Sequence, residues 1–212
     1  MPRDFTAKCK RCRRAGEKLF LKGDRCATPK CAIVKRPYPP GVHKSISRKG
    51  LSEFGQQLAT KQKVKRIYGV MEKQLKIYFQ KVKGKSGVTG DLLMQRLEMR
   101  LDNVIYRCQI ASSRCQARQL VKHSHFTVNG KIVDLPSYIV KKDDVIEIKD
   151  SKLKKTFFKN LAEVVRSKKD QVLPSWLQMD ADKLSVKVTA KPTKDSLNLS
   201  VNPQMIVEFY SR

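Results

Sequence analysis

The chain has 212 residues, enough for one or two domains, and its 40% hydrophobic content can support a modest core. It carries 46 Lys and Arg residues against 19 Asp and Glu residues, a formal net charge of +27, so a polyanion such as nucleic acid is the expected partner. No apolar run approaches the roughly 20 residues of a membrane span, and the first residues lack the apolar core of a signal peptide. The composition therefore argues against a membrane protein and predicts a cytoplasmic one.

Four cysteines near the start of the chain have the spacing of a metal site. Two residues separate Cys9 from Cys12, four separate Cys26 from Cys31, and 13 lie between the two pairs. Each pair can form a knuckle, and four thiolates make a closed tetrahedral Zn²⁺ site of the structural kind. We predict that these four cysteines bind a structural Zn²⁺ ion. An iron–sulfur cluster and four unrelated reduced cysteines are the alternatives.

Basic residues cluster around these cysteines. Residues 1–50 carry 15 Lys and Arg residues against 3 Asp and Glu residues. Neighbouring cations favour the thiolate form of cysteine and keep the segment attractive to phosphate. We therefore predict RNA contacts for Arg11, Arg13 and Arg14.

A proline-rich connector, Arg36–Gly41, follows this segment. Its prolines cannot continue a helix or a strand ladder, so it is predicted to be stiff and extended. Beyond it lies a basic loop containing Lys44, Arg48 and Lys49, which we also predict to bind RNA.

Residues 51–82 keep the apolar spacing of helices, and Gly69 is predicted to separate two of them. Their cations are too uniform in sign for stabilising pairs within a helix, so an external phosphate surface is expected to neutralise them. The predicted RNA-binding residues here are Lys61, Lys63, Lys65 and Arg66. The following Lys83–Gly87 segment is predicted to be a flexible basic linker, and its glycines lack the pattern of a nucleotide-binding loop.

A small module is predicted between Leu97 and Asp150. Apolar residues from Leu97 to Cys108 have the spacing of one helix with a buried face. Ser113–Gln116 has a capping-box pattern, which predicts a second helix reaching about Lys122. Asn129-Gly130 predicts a tight hairpin turn between two short strands, and Val145–Ile148 supplies a third strand.

Three cations on the second helix of this module are four residues apart: Arg114, Arg118 and Lys122. Residues at this spacing project from one face of a helix, so the three form a cationic ridge that we predict to bind RNA. The alternative is that these three residues lie on an ordinary solvent-exposed helix surface without a binding role. Residues 101–150 carry 8 basic and 6 acidic side chains, so charge placement matters more here than net charge.

The last third of the chain predicts a few short elements. Lys152–Lys169 has the pattern of a helix with a basic face, and 173–177 and 184–188 have the pattern of strands. Asn202 before Pro203 is a good helix start, so Met205–Tyr210 is predicted to form a short helix, with a strand as the alternative.

The central block resembles the αL RNA-binding module, on the matching runs Ala117–Val121, Val128–Gly130 and Pro136–Tyr138. Gln109, Ser124 and Asp143 stand where that module usually has glycine. The resemblance widens to CKRCRRAGEKLFLKGDRC, KCAIVKRPYPPG, KQKVKRIYGV, LPSWL and IVEFYSR, which are similar to ribosomal protein four of the bacterial small subunit in its zinc-binding, four-cysteine form.

This resemblance implies an α+β protein. Residues 1–45 would form a zinc-knuckle extension, and 46–90 a helical domain completed by 200–212. Residues 91–199 would form an inserted αL module of two helices and a small antiparallel sheet, with additional strands.

The resemblance also implies a function. The chain would be a structural component of the small ribosomal subunit and a primary binder of 16S ribosomal RNA, which nucleates assembly of the subunit body and contributes to translational accuracy. The implied partners are ribosomal protein five and messenger RNA at the entrance channel, which the local match assigns to the loop with Lys44, Arg48 and Lys49. We do not expect the chain to form a homo-oligomer.

Two other classes compete with this interpretation. An RNA-modifying enzyme is conceivable, but the acidic residues are scattered and His123 and His125 lack a nucleophile or carboxylate constellation, so no catalytic residue is predicted. A zinc-containing DNA regulator would need a dimer interface, and no heptad or helix-turn-helix pattern is present.

Overall fold

The structure, a computed structural model, describes residues 6–41, 50–167, 173–180, 183–193 and 201–212. The chain divides into two compact units, Met1–Met94 with Leu199–Arg212, and Gln95–Asn198. The described helices are α1 (Lys8–Ala15), α2 (Ala32–Lys35), α3 (Glu53–Tyr68), α4 (Glu72–Val82), α5 (Thr89–Glu98), α6 (Leu101–Arg107), α7 (Arg114–Lys122), α8 (Asp150–Leu153), α9 (Thr156–Ser167) and α10 (Gln204–Ser211). The described strands are β1 (Phe126–Val128), β2 (Lys131–Ile132), β3 (Val145–Ile148), β4 (Leu177–Asp180) and β5 (Ser185–Val188).

Within the described ranges, none of the helices combines the length and the apolar character needed to cross a membrane.

Glycine ends two helices of the first unit. Gly16 follows α1 with φ 76° and donates its N–H to the Cys12 carbonyl (2.9 Å). Gly69 follows α3 with φ 63°, a left-handed conformation that glycine adopts without steric cost, and α4 begins three residues later. The predicted division of this region at Gly69 is confirmed.

The C-terminal helix packs on α3 and α4. The side chain of Asn202 accepts a hydrogen bond from the Gln204 N–H (3.0 Å), which starts α10 as a helix, so the strand alternative is wrong. Phe209 stacks on Phe54 with ring centroids 5.6 Å apart, and Tyr210 contacts Phe79 at 5.0 Å. These aromatic contacts close the helical part of the first unit.

A buried lysine joins these three helices. Lys61 is only 5% exposed, and its Nζ lies 2.7 Å from Glu72 Oε1 and 4.2 Å from the Phe209 ring centroid. The Tyr210 hydroxyl also donates to Glu72 Oε1 (2.8 Å). Burial raises the pKa of Glu72, but the hydrogen bonds from Lys61, Tyr210 and Lys65 outweigh it, so the net pKa lies below the usual value.

In its described residues, the second unit has a five-stranded antiparallel sheet of order β2-β1-β3-β5-β4. The Asn129-Gly130 turn between β1 and β2 has φ values of 49° and 76°, as the tight hairpin turn requires, so the predicted hairpin is confirmed. Alternate residues of β1 and β3 are buried, including Phe126 and Ile146. They share one hydrophobic core with residues of α6 and α7 such as Val104.

The predicted single helix over Leu97–Cys108 is wrong, because α5 ends at Glu98 and α6 begins at Leu101. Arg100 between them is extended, with φ −74° and ψ 138°, and it forms a β-bridge with Ile139. The Leu101 N–H then donates to the Tyr138 carbonyl (2.8 Å). Backbone pairing with a distant segment therefore interrupts the helix.

Two predictions near the C-terminus also need correction. The helix predicted over Lys152–Lys169 is divided into α8 and α9 in the described residues. The strand predicted over 173–177 begins only at Leu177, because Leu177 donates its N–H to the Pro174 carbonyl (2.9 Å) in a preceding turn. The strand predicted over 184–188 is confirmed as β5.

At the three positions where the αL module usually has glycine, the backbone keeps a glycine-like conformation. Gln109, Ser124 and Asp143 have φ values of 59°, 54° and 67°. The left-handed region is unfavourable for residues with a Cβ, by about 1 kcal/mol or more. The departures from glycine therefore leave the shape of these turns intact and introduce backbone strain.

We expect Gln109→Gly to raise the free energy of unfolding of the second unit by about 0.5–1 kcal/mol, because relief of strain outweighs the added flexibility of the unfolded chain. Gln109 is exposed, so little packing is lost. Fluorescence of Trp176, the single tryptophan, reports unfolding of this unit in urea. Gln109→Ala is the control and should bring no gain. A glycine variant less stable than wild type would contradict the strain.

We expect Glu72→Gln to destabilise the first unit by about 1–2 kcal/mol at pH 7, since Lys61 loses its counter-charge while remaining buried; the 44% exposure of the Glu72 side chain keeps the effect below that of a fully buried pair. Because the folded pKa of Glu72 is lowered, its contribution is present above the unfolded pKa of about 4.3 and is lost as pH falls through the folded value. Urea denaturation followed by circular dichroism at pH 7 and pH 3 measures both effects.

Glu53→Gln is the matched control. Glu53 lies on α3, its side chain is 78% exposed, and its contact with Arg212 is long (3.4 Å). It should change stability little at either pH. Equal losses in the two variants would show that the Glu72 contact contributes nothing specific.

Candidate nucleic-acid interface

The predicted cationic ridge lies on α7, and each of its members contacts a polar side chain of the same unit. Arg114 donates its Nε–H to Asn103 Oδ1 (2.8 Å) and lies 4.3 Å from the Tyr106 ring centroid. Arg118 Nη1 lies 3.5 Å from Asp102 Oδ2. The ridge arginines are thus half-buried and oriented by α6 rather than freely solvated.

The third member of the ridge is held differently. Lys122 Nζ lies 2.8 Å from Asp134 Oδ2, in a pair whose side chains are 62% and 48% exposed. The hydrogen bond from Lys122 holds the pKa of Asp134 below its usual value. An exposed pair of this kind is weak, so a phosphate can compete with Asp134 for the ammonium group.

Buried polar residues position the two ridge arginines. Arg100 is fully buried and donates to both Asp102 oxygens, at 3.0 and 2.7 Å. The Asn103 amide donates to Glu98 Oε2 (2.7 Å), and Glu98 also accepts two hydrogen bonds from Arg107, at 2.9 and 2.6 Å. This network was not predicted from the sequence. The signal available there was the group of polar residues Arg100, Asp102 and Asn103, which interrupts an otherwise apolar helix pattern.

The acidic residues of the module include one with a structural role. Asp144 is buried, accepts hydrogen bonds from the Asn129 side chain (2.9 Å) and the Lys141 N–H (2.7 Å), and so fixes the hairpin turn. Asp143 and Glu147 are exposed, and neither of them lies on α7.

In the first unit, the predicted RNA-binding lysines of α3 have acidic partners. Lys61 lies in the core beside Glu72, as described above. Lys63 Nζ lies 2.7 Å from Glu17 Oε1, and Lys65 Nζ lies 3.2 Å from Glu72 Oε2. Arg66 is half-buried. The structure thus gives these lysines contacts within the fold, and their binding to RNA stays a prediction. The exposed lysines of this region are instead found on α4: Lys73, Lys76 and Lys81.

The predicted RNA-binding arginines of α1 differ in their surroundings. Arg13 donates to the carbonyls of Tyr38 (2.9 Å) and Pro39 (3.2 Å) and stacks 4.7 Å from the Tyr38 ring centroid, so it ties α1 to the proline-rich connector. Arg11 donates to the Thr6 hydroxyl (Nε, 3.0 Å), and Arg14 is exposed.

The predicted loop residues Lys44, Arg48 and Lys49 lie outside the described residues.

The four N-terminal cysteines are free thiols in one segment of the first unit. Cys12, Cys26 and Cys31 are each 8% exposed, and Cys9 is half-buried. Burial raises the pKa of Cys12, a hydrogen bond from the Leu19 backbone lowers it, and the neighbouring thiols of Cys26, Cys9 and Cys31 raise it further. In the part of the chain that the structure describes, no group of three or more His, Cys, Asp or Glu side chains is already arranged to hold a metal ion.

The other two cysteines lie in the second unit. Cys108 is 1% exposed in the core, and burial raises its pKa to about 12, as expected for an inert packing residue. Cys115 is half-buried on α7.

Two family models match the chain. Residues 3–98 match the ribosomal protein S4/S9 N-terminal domain, and residues 99–146 match the S4 domain. Together they cover the first unit up to α5 and, in the second unit, the ridge helix and its hairpin.

Relatives also match the chain over nearly its whole length. The chain is 51% identical over 204 residues to small ribosomal subunit protein uS4 of Caldicellulosiruptor bescii, with 96% of each chain covered. It is 49% identical over 212 residues to uS4 of Clostridioides difficile and 50% identical over 212 residues to uS4A of Alkaliphilus oremlandii, with 100% of each chain covered. The chain therefore belongs to the uS4 family of small-subunit ribosomal proteins.

Proposed function

We propose that this chain is a structural, non-enzymatic component of the small ribosomal subunit in the cytoplasm, where it binds 16S ribosomal RNA. The observation that carries the proposal is the ridge on α7, whose arginines are oriented by buried partners. Membership of the uS4 family supports it, as does the formal charge of +27. The finer roles in nucleating assembly of the subunit body and in translational accuracy belong to the same proposal.

The proposed mechanism is recognition of RNA shape and backbone charge. A-form RNA hides most base edges in a deep and narrow groove, so a protein meets mainly phosphates and ribose hydroxyls. An arginine already held by Asn103 or Asp102 loses less side-chain entropy on binding phosphate than a freely rotating one. The ridge therefore serves to set the position of the RNA, while the more basic remainder of the chain supplies affinity.

We further propose ribosomal protein five and messenger RNA at the entrance channel as partners. The support for messenger RNA is the local sequence match of the loop with Lys44, Arg48 and Lys49. Crosslinking from these three positions in assembled subunits tests the assignment.

The ridge is tested by changing Arg114 and Arg118 together to Gln. Glutamine avoids placing a second carboxylate beside Asp102, which keeps its pairing with Arg100, so the fold should survive. We expect affinity for 16S ribosomal RNA to fall about 10- to 100-fold at low salt, and the slope of log K against log salt to become shallower by about 1–2. Filter binding measures affinity, and circular dichroism checks the fold.

The matched control is Lys154→Gln with Lys159→Gln, which removes two exposed cations elsewhere in the same unit. It should reduce affinity less than the ridge variant. Equal losses would show that total charge matters and that the ridge is a solvated surface. Full affinity in a folded ridge variant would overturn its proposed role.

We also propose that Cys9, Cys12, Cys26 and Cys31 hold a structural Zn²⁺ ion. The donor set suits the ion, because four thiols can form a closed tetrahedral site and three of them are buried. The Lys22 N–H also points at Cys26 Sγ (3.4 Å), a donor that stabilises thiolate. When bound, the ion would crosslink a segment that has little apolar core of its own.

Replacing Cys26 by Ser should release one Zn²⁺ ion and loosen residues 6–41, while the second unit stays folded. Native mass spectrometry measures the metal, and hydrogen exchange measures protection of α1 and of the sheet. Cys115→Ser is the control and should retain the ion. A metal-free wild-type chain with a fully protected α1 would refute the zinc proposal.

A further inference from the structure

Phe20 combines two unfavourable features. The residue is 51% exposed to solvent, and its φ is 49°. A bulky residue in the left-handed region is a genuine outlier, and an aromatic residue that is half exposed gains only part of the packing energy of a buried one in return. Such a residue at an exposed position points to a requirement for the ring itself.

The loop around Phe20 is tied down on both sides. The N–H of Lys22, two residues after Phe20, donates to Cys26 Sγ (3.4 Å). The Leu19 side chain is 4% exposed and anchors the loop in the interior. With its neighbours fixed in this way, Phe20 has to turn outward.

The surroundings of the ring are cationic. Lys18 and Lys22, two residues before and two after Phe20, are both exposed. The first 50 residues carry 15 basic side chains against 3 acidic ones. An aromatic ring between cations is the arrangement with which proteins stack a nucleobase while holding its backbone phosphates.

We infer that Phe20 is a stacking site for an unpaired nucleobase of the bound RNA, with Lys18 and Lys22 contacting the flanking phosphates. The inference rests on the proposed RNA-binding function and adds a contact of a different kind, because the ridge meets backbone charge and Phe20 meets a base. Stacking tolerates any base, so the site selects a single-stranded or bulged nucleotide rather than a sequence. The apolar face of a partner protein is the competing occupant, and the flanking lysines disfavour it.

The central variant is Phe20→Gly. It removes the ring and also the strain, since glycine adopts this backbone freely. If the ring serves the fold, the variant should be less stable than wild type. If the ring serves RNA, stability should be equal or higher, while affinity for 16S ribosomal RNA falls about 5- to 100-fold. Urea denaturation and filter binding measure the two properties.

Two further variants separate stacking from simple apolar contact. Phe20→Leu keeps an apolar side chain and should still lose affinity, whereas Phe20→Trp should restore it. The tryptophan variant also gives a spectroscopic signal, because Trp176 is the single native tryptophan and is buried. Stacking on a base should quench the added fluorescence when RNA binds. Phe157→Leu, on an exposed ring of α9, is the matched control and should bind as wild type.

Salt dependence distinguishes the ring from its neighbours. Loss of stacking in Phe20→Gly should leave the slope of log K against log salt unchanged, while Lys18→Gln with Lys22→Gln should make it shallower. If wild type binds RNA and both the glycine and leucine variants bind equally well, the stacking site is overturned and the proposed function stands. If wild type itself fails to bind, the proposed function fails, and the stacking site with it. Full affinity in Phe20→Leu beside reduced affinity in Phe20→Gly would also overturn the stacking site, because an apolar side chain without an aromatic ring would then be sufficient.

Discussion

The buried ion pair between Arg100 and Asp102 is the constraint on which the second unit depends. Both residues lie in the interior, where an unpaired charge would be strongly destabilising, so they must remain together. Arg100 pairs with Asp102 while its own backbone is extended, and this extended residue separates helix α5 from helix α6. The break sets the start of α6, and Asp102 then reaches Arg118 while the next residue, Asn103, reaches Arg114. The need to pair two buried charges thus contributes to the geometry of the proposed RNA contact.

The charges of the chain have two different uses. Some cations stabilise the fold: Lys61 and Lys65 share Glu72, Lys63 pairs with Glu17, and Arg13 joins α1 to the connector. Other cations, such as the exposed lysines of α4, are not buried in the fold. Net charge alone overstates the surface available to RNA, because lysines counted equally in the sequence differ greatly in exposure. This distinction explains why burial has to be known before a basic helix is assigned to RNA.

Local signals predicted the fold wherever a local interaction decides it. Asn129-Gly130, Ser113 and Gly69 each carry backbone requirements that only a few residue types meet, and the structure has the expected turn, cap and helix end at all three. The break at Arg100 could not be predicted, because the apolar spacing continues across it and its cause is pairing with Ile139, which lies far along the chain. The same holds for the ridge, whose members were visible in sequence but whose partners, such as Asp134 for Lys122, were not.

Backbone strain at Gln109 and Asp143 differs in its meaning from backbone strain at Phe20. At Gln109 and Asp143 the side chains are exposed and polar, and any residue tolerant of the turn would serve, so the strain reflects the replacement of glycine at little functional consequence. At Phe20 the side chain is apolar and exposed, and glycine would lower the energy of the loop while an exposed polar residue would improve its solvation. Stability alone therefore disfavours phenylalanine at this position on two counts. A contact made only in the RNA complex accounts for both, because stacking would then bury the ring and offset the strain.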